Sequence, residues 1–345
     1  MKRNILKIIL LLIIILSLYS CRKISNEKQL FLPYQKNGKW GYINKKGDLI
    51  IKAKYDYASI FYEGRAIIVI NNQGKERCGY IDLMGNEVIK PIYNMCGNFH
   101  NGTALVHYNK SWAIIDINGN EIARFNEEEF TLSTFSEGLT FTYFREQRKF
   151  GYIDQFGKIS IEPNYDYCNL FKEGVAGVFI NGKWGFIDIS GKIVIEPAYD
   201  GVIWFNEGLC PVKILTKEKE FKYGFINKEG DIVIEPIFES ATIFTEGFAV
   251  IKIDNKWGFI AKTGEIIKFI DCDLLDSFHE GYAAFRKDEK WGFINIQGEV
   301  VIKPQFDKVT QFLKGISAVQ KNGEWRYINN RGKFIFINKN NKERE

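Results

Sequence analysis

The chain has 345 residues, a length sufficient for two or three ordinary domains. Apolar residues make up 46% and charged residues 26%, so the composition excludes a disordered chain and predicts a sizeable core. The formal net charge of +5, from 47 basic and 42 acidic residues, is too balanced to indicate nucleic-acid binding.

The N-terminus has the pattern of an export signal. Lys2, Arg3 and Lys7 accompany an apolar stretch of about eleven residues, which would span roughly 16 Å as a helix and is too short to cross a bilayer. These proportions predict a secretory signal peptide over residues 1–20. The signal peptide holds three basic and no acidic residues, so the rest of the chain carries 44 basic against 42 acidic residues, a net charge of +2.

The end of this segment resembles the lipobox of bacterial lipoproteins. Leu18, Ser20 and Cys21 match that pattern, whereas Tyr19 is bulkier than the usual residue. The resemblance implies that Cys21 is acylated and that acyl chains hold the protein at a membrane of the bacterial cell envelope. A plain signal peptide that happens to carry a cysteine is the alternative. Residues 21–33 are then expected to form a membrane-proximal linker.

One sequence unit recurs nine times after the signal peptide, with the form K-W-G-[YF]-I-[DN]-x-x-G. Its first aromatic position is occupied by Trp40, Cys78, Trp112, Phe150, Trp184, Tyr223, Trp257, Trp291 and Trp325. A glycine stands seven residues after each of them, at Gly47, Gly85, Gly119, Gly157, Gly191, Gly230, Gly264, Gly298 and Gly332. Chance cannot produce this agreement when glycine is about a tenth of the chain.

Each unit reads as three short strands, as the fifth unit illustrates. Residues 184–188 alternate in polarity and lead through a tight turn into residues 192–196, which are rich in β-branched side chains. Pro197 is expected to stop the pairing because it has no N–H to donate. Residues 199–207, which end in the second recurring motif F-x-E-G, are expected to form a turn or a single helical turn. Residues 209–214 are predicted as the third strand.

The repeat resembles the WG-repeat (KWG) family of bacteria over residues 34–337, before a polar tail at 338–345. The resemblance implies a binding or scaffolding array without a shared catalytic residue. Units of about 34 residues must stack on their neighbours to bury their sheet faces. We therefore predict an all-β array of nine three-stranded units, arranged as an open β-solenoid or superhelix, with a closed ring or propeller-like arrangement as the alternative.

Recurring polar residues are interpreted as structural, because catalysis needs groups in different environments at one place. The Glu of each F-x-E-G motif is expected to serve its own turn, and Asp82, Asp116, Asp154 and Asp188 are expected to cap tight turns. The recurring tryptophans are expected in the core. Three histidines are too few and too dispersed for a metal site, so neither an enzyme nor a cofactor is predicted.

The cysteines show no regular framework. Besides Cys21 there are five, without the spacing of a zinc site. Cys96 and Cys168 occupy equivalent positions two units apart, whereas Cys78 and the remaining two are irregular. Burial as small apolar side chains is expected, although one disulfide bridge stays possible in an oxidising envelope.

Residues that differ between units are the candidates for specific binding. Charged insertions precede units two, four and six, and their cations are Lys75, Arg77, Arg145, Arg148, Lys217 and Lys219. Trp204 lies outside the repeat's own Trp position and could stack on a sugar. We therefore expect a non-catalytic, membrane-anchored array that binds an envelope protein or acts as a scaffold. Binding of a glycan, such as peptidoglycan or another polysaccharide, is the alternative.

Overall fold

The computed structural model describes residues 30–126, 130–132 (backbone only) and 134–336. Within these ranges the chain forms 35 short strands and no helix, which confirms the all-β prediction. No helix long and apolar enough to cross a bilayer occurs among them. The predicted signal peptide, Cys21, the linker up to residue 29 and the polar tail lie outside the described residues.

The chain divides into two compact units. Of the described residues, 30–126 with 334–336 form the first, and 130–132 with 134–333 form the second. The strands of the first are β1 (Phe31–Lys36), β2 (Lys39–Asn44), β3 (Leu49–Tyr55), β4 (Tyr57–Ala58), β5 (Ala66–Asn72), β6 (Lys75–Ile81), β7 (Glu87–Tyr93), β8 (Met95–Cys96), β9 (Thr103–Tyr108), β10 (Ser111–Asp116), β11 (Glu121–Asn126) and the C-terminal β35 (Phe334–Ile335). β1–β3, β4–β7 and β8–β11 form sheets one to three.

The second unit holds sheets four to nine. Their strands are β12 (Phe130–Leu132), β13 (Leu139–Phe144), β14 (Lys149–Asp154), β15 (Ile159–Tyr165), β16 (Tyr167–Cys168), β17 (Val175–Ile180), β18 (Lys183–Asp188), β19 (Ile193–Tyr199), β20 (Gly201–Val202), β21 (Cys210–Leu215), β22 (Phe221–Ile226), β23 (Ile232–Phe238), β24 (Ser240–Ala241), β25 (Phe248–Ile253), β26 (Lys256–Ala261), β27 (Ile266–Ile270), β28 (Leu274–His279), β29 (Tyr282–Lys287), β30 (Lys290–Asn295), β31 (Val300–Phe306), β32 (Lys308–Val309), β33 (Ile316–Lys321) and β34 (Glu324–Asn329). β12–β15, β16–β19, β20–β23, β24–β27 and β28–β31 form sheets four to eight, and the ninth begins with β32–β34.

The sheets are antiparallel meanders in which each strand pairs with the next along the chain, and sheets two to eight have four strands. The prediction of three strands per unit is wrong, because residues 201–202 form a short strand where a turn was expected. Four-stranded meanders are the blades of β-propellers. The nine sheets therefore agree with the propeller-like alternative, and the open solenoid or superhelix is not supported.

The sequence repeat and the sheet are offset from each other. In the fifth repeat, β18 and β19 complete sheet five, whereas β20 and β21 begin sheet six, in which β21 pairs with β22 of the following repeat. Each repeat is therefore shared between two sheets. Neighbouring sheets are joined by this offset, which explains how units too small to fold alone can be stable together.

Pro197 does not end its strand, contrary to expectation. β18 and β19 pair at Trp184 with Tyr199 and again at Phe186 with Ile195, so β19 bulges between the two pairs and Pro197 lies in the bulge. Gly185 faces this bulge, and a Cβ atom built on it would lie 2.6 Å from the carbonyl oxygen of Ile195. The glycine of the W-G pair is thus required because the bulged backbone passes too close for any side chain.

Phe, Tyr and aliphatic side chains form the core, and the recurring tryptophans lie at its margin. Phe186 and Phe205, from the K-W-G-F and F-x-E-G motifs, are both 1% exposed and lie with ring centroids 5.0 Å apart. Trp184 packs against the same cluster but is half-buried. The expectation of core tryptophans is therefore wrong, because the Trp position lies at the end of its strand, where the sheet meets solvent.

Candidate binding surface

The meander gives each four-stranded sheet two chemically different ends. We call the end that carries the F-x-E-G turn and the turn between the third and fourth strands the turn end. The opposite end, which carries the hairpin between the second and third strands, is the hairpin end. In the second unit, hydrogen bonds between F-x-E-G turns keep the turn ends of successive sheets together. The hairpin ends of these sheets therefore also lie on one side.

At the turn end, the F-x-E-G glutamates connect neighbouring sheets. Backbone N–H groups of Glu207 and Gly208 donate to Oε1 and Oε2 of Glu173 at 2.7 and 3.0 Å. The same pair of bonds joins Glu63 to residues 101–102, Glu137 to 173–174, Glu207 to 246–247, Glu246 to 280–281 and Glu280 to 314–315. Each carboxylate thus serves the turn of the following sheet, and the expectation that it serves its own turn is wrong.

The geometry of the turn makes its N–H groups available. Glu207 and Gly208 have φ values of 56° and 84° and stand between the bridged residues Asn206 and Leu209, as in a two-residue turn of type I′. Two successive N–H groups then point outward and form a small anion site. Charged hydrogen bonds to this site are stronger than those between neutral groups. The recurring glutamates are therefore structural.

The aspartates of the other turn act as predicted. Oδ1 of Asp188 accepts the N–H groups of Ser190 at 2.9 Å and Lys192 at 3.1 Å. Oδ1 atoms of Asp82, Asp116 and Asp154 accept bonds at the equivalent positions. Turn capping by these residues is confirmed.

At the hairpin end, the lysine of K-W-G is neutralised by an aspartate 17 residues later. Lys183 Nζ lies 2.6 Å from Oδ1 of Asp200, and this hydrogen bond holds the pKa of Asp200 below its usual value. Oδ2 of Asp200 also accepts the N–H of Leu215. Equivalent ion pairs join Lys39 to Asp56, Lys149 to Asp166 and Lys290 to Asp307. Four of the repeat's regular lysines are therefore paired in this way, Lys222 pairs instead with Glu220, and Lys256 forms no ion pair among the described residues.

The inserted cations differ from these lysines. The three insertions lie in equivalent hairpins: β5–β6, β13–β14 and β21–β22. The hairpin in sheet two has longer strands around a two-residue turn, and the hairpins in sheets four and six have longer loops. Lys75, Arg145, Arg148, Lys217 and Lys219 are exposed and form no ion pair with any residue that the structure describes. Arg77 is half-buried and donates to the carbonyl oxygen of Glu76.

The hairpin tips carry unpaired cations interspersed with carboxylates: Glu146 lies between Arg145 and Arg148, and Glu218 and Glu220 alternate with Lys217 and Lys219. Sheets four and six, separated by one sheet, present Arg145, Arg148, Lys217 and Lys219 on the same side of the second unit. Cations that are already solvated and unpaired lose no internal partner when they bind a carboxylate. The geometry therefore favours electrostatic contact with a macromolecule rather than a small-molecule pocket.

Trp204 lies apart from these hairpins. It is half-buried in the connection between β20 and β21, next to the buried Phe205, and has interactions within the fold. All seven tryptophans keep part of their surface in contact with solvent, and Trp325 is the most open at 39% exposure.

A disulfide bridge joins Cys78 to Cys96, the possibility that the sequence left open. It connects β6 in sheet two to β8 in sheet three. Cys78 stands where other repeats have the tryptophan of K-W-G, and Cys96 follows it by 18 residues. In the fifth repeat the residues at these two positions are Trp184 and Val202, and both pack against one core cluster. This pair was not predicted from the sequence, although the constant offset was the signal that could have identified it. Cys168 and Cys210 are buried free thiols, and burial raises the pKa of Cys168 to about 12.

Among the residues that the structure describes, no group of three or more His, Cys, Asp or Glu side chains is arranged to hold a metal ion. A family model described as "WG containing repeat" matches the chain at residues 40–73, 79–112, 150–184, 184–215, 223–257, 257–291 and 291–325. These matches cover more than half of the chain. A comparison with curated proteins gave no match.

Proposed function

Because the chain belongs to the family of WG-containing repeat proteins, we propose that it is a non-catalytic binding protein, exported and anchored by lipid at Cys21, that holds an acidic envelope protein. The observation that carries the binding role is the contrast at the hairpin end. Four of the repeat's own lysines pair with aspartates, whereas none of the six candidate cations has an ion-pair partner among the described residues. Cations held free at hairpin tips favour capture of a negatively charged surface.

Export is supported by a separate feature, the bridge between Cys78 and Cys96. Disulfides form and persist in oxidising compartments such as the cell envelope, and they are rare in a reducing cytosol. Anchoring is tested by labelling cells with a radioactive fatty acid and extracting membranes with detergent. The intact chain should carry label and enter the detergent phase, whereas Cys21→Ser should lose both properties. Equal labelling of the two chains would contradict lipidation at Cys21.

Partner binding is tested by replacing the six candidate cations with glutamine. The variant should no longer co-purify with the partner that in-cell crosslinking attaches to the wild-type chain. The matched control replaces six exposed lysines outside the hairpins: Lys52, Lys90, Lys158, Lys192, Lys308 and Lys333. Its net charge is the same as that of the test variant, so a loss of binding confined to the hairpin variant identifies the surface. Equal losses would show that only net charge matters.

Glycan binding is the second candidate, and the partial exposure of the tryptophans favours it. Aromatic faces that reach solvent can stack on sugar rings. Titration with soluble peptidoglycan fragments should then shift the tryptophan fluorescence, and Trp204→Phe should reduce the shift if this residue contributes. An unchanged spectrum at saturating fragment would rule against this function.

A further inference from the structure

The fourth strand of sheet seven, β27, departs from the other fourth strands of the second unit. β15, β19, β23 and β31 each contain a bulge that holds a proline. β27 has no proline, and its residues pair one for one with β26 from Trp257–Ile270 to Phe259–Lys268; the register shifts only beyond this stretch, between Lys268 and Ile266. Prolines and bulges protect edge strands from pairing with another chain. Residues 268–270 of β27 therefore form an edge segment without this protection.

A second departure lies beside this edge. In sheets four, five, six and eight a buried isoleucine, such as Ile195, packs against the turn glycine that follows in the next repeat, as Gly230 illustrates. Lys268 occupies the isoleucine position in β27 and is exposed. Its aliphatic stem lies against Gly298, and its Nζ donates to the carbonyl oxygen of Gln297 at 3.2 Å. An exposed lysine therefore replaces a buried isoleucine in the contact between sheets seven and eight.

A groove of about 670 Å³ lies at this place, between β27 and sheet eight. Three consecutive residues of β27, Lys268, Phe269 and Ile270, line it. Successive side chains of a strand point to opposite faces, so a groove that contacts three in a row runs along the edge of the strand. Phe269 is 44% exposed and gives the groove an apolar contact.

The charge of the groove selects its occupant. Its lining includes four lysines and two aspartates, which leaves two positive charges in excess: Lys268, Lys287, Lys290 and Lys303 against Asp271 and Asp288. Lys287 pairs with Asp271, and Lys290 pairs with Asp307 outside the groove. Lys303 is exposed and forms no ion pair among the described residues. An extended segment with alternating carboxylate and apolar side chains complements this lining.

We propose that β27 and the groove beside it bind an extended acidic peptide segment of a partner protein, which adds a fifth strand to sheet seven. Strand addition uses main-chain hydrogen bonds for affinity and alternate side chains for specificity. The five residues of β27 set the length of the paired segment. The site is separate from the inserted hairpins, so it stands or fails independently of the function proposed above.

The test is fluorescence anisotropy of the purified full chain with a labelled hexapeptide of alternating glutamate and valine. The peptide should bind saturably, and the version with lysine in place of glutamate should not. N-methylation of alternate peptide bonds should weaken binding by about tenfold or more, because it removes the main-chain donors. Binding of the acidic, basic and N-methylated peptides with equal affinity would overturn the proposal.

Two substitutions locate the site. Lys268→Ile restores the residue that sheets four, five, six and eight carry; it removes a cation from the groove and should weaken binding by about tenfold or more. Lys303→Glu leaves the packing unchanged and should weaken binding as well, which covers the case in which Lys268→Ile does not fold. Lys192→Gln is the control and should bind as the wild type. Unchanged binding of the peptide by Lys303→Glu would overturn the proposal. A dimer of the wild-type chain that Lys268→Ile abolishes would also overturn it, because the occupant of the groove would then be a second copy of this chain.

Discussion

The carboxylate of Glu173 accepts the backbone N–H of Glu207 at 2.7 Å, although the two glutamates lie in the turns of different sheets. Glu207 repeats this arrangement with the turn at residues 246–247. Lys228 adds a bond from its Nζ to the carbonyl oxygen of Glu173 at 2.7 Å. The recurring glutamate of F-x-E-G therefore connects neighbouring sheets instead of closing its own turn. The free energy of unfolding should depend on this glutamate wherever two sheets are joined in this way.

Glu207→Gln tests this connection. Gln places an NH₂ group opposite one of the two N–H donors, which leaves a charged hydrogen bond unmade in a side chain that is only 9% exposed. The free energy of unfolding should fall by about 2 kcal/mol. Urea denaturation followed by far-UV circular dichroism measures the change. Glu229→Gln, at an exposed turn position, is the control and should be close to neutral.

The same variant predicts a pH dependence. Burial acts to raise the pKa of Glu207, but the N–H of Gly247 and the ammonium of Lys262 outweigh it and hold the pKa below 4.5. The stabilisation from the ionised form is complete above the unfolded pKa and is lost as the pH falls through the lowered folded pKa. The difference in unfolding free energy between wild type and Glu207→Gln should therefore be constant from pH 5 to 7. It should shrink below about pH 4.5, and a difference that grows in acid would contradict this account.

Gly185→Ala tests the bulge. The added methyl group would lie 2.6 Å from the carbonyl oxygen of Ile195 and 2.8 Å from the nitrogen of Pro197. The bulge must therefore move, at a cost of about 3 kcal/mol in stability. In sheet three the partner strand has no proline and pairs regularly with Ala113. Ala113→Gly should consequently cost only about 1 kcal/mol, through chain entropy. Equal costs at the two sites would argue against the bulge as the reason for glycine.

The disulfide gives a further prediction. Cys78 and Cys96 are 18 residues apart, and opening a loop of this size should lower stability by about 3 kcal/mol. Thermal unfolding of Cys78→Ser should occur at a lower temperature than that of the oxidised wild type, and reductant should affect only the wild type. The double variant Cys78→Trp with Cys96→Val restores the residue types of Trp184 and Val202 and should recover part of the loss. Cys272→Ser is the control.

The pattern of the sequence was sufficient for some elements and not for others. Gly191 and its equivalents predicted the tight turns because a positive φ strongly favours glycine, and Asp188 predicted the cap. Residues 201–202 could not be recognised as a strand, since two residues show no alternation. The sequence did not show that Glu173 accepts hydrogen bonds from the turn of the next sheet. Donor and acceptor both belong to F-x-E-G motifs, so the spacing of the motifs cannot show whether a glutamate bonds to its own turn or to the next one.

The candidate surfaces were predicted unevenly for a similar reason. Insertions stand out against a regular repeat, so the cations at Arg145 and Lys217 could be named from the sequence. The groove at Lys268 lies where a lysine replaces isoleucine in the contact with Gly298 of the following sheet, and only the packing reveals this contact. The same alignment of units shows Lys268 where Ile195 and its equivalents stand, and that comparison was the available signal.

Site-specific photocrosslinking in intact cells tests the central claim most directly. A photoreactive amino acid at Gln147, in the inserted hairpin of sheet four, should give a discrete protein adduct that disappears when the six candidate cations are replaced with glutamine. The same amino acid at Ser190, in a turn at the opposite end of sheet five, should give no such adduct. An adduct from Ser190 but none from Gln147, or an adduct at Gln147 that survives neutralisation of the cations, would contradict partner binding by the hairpins.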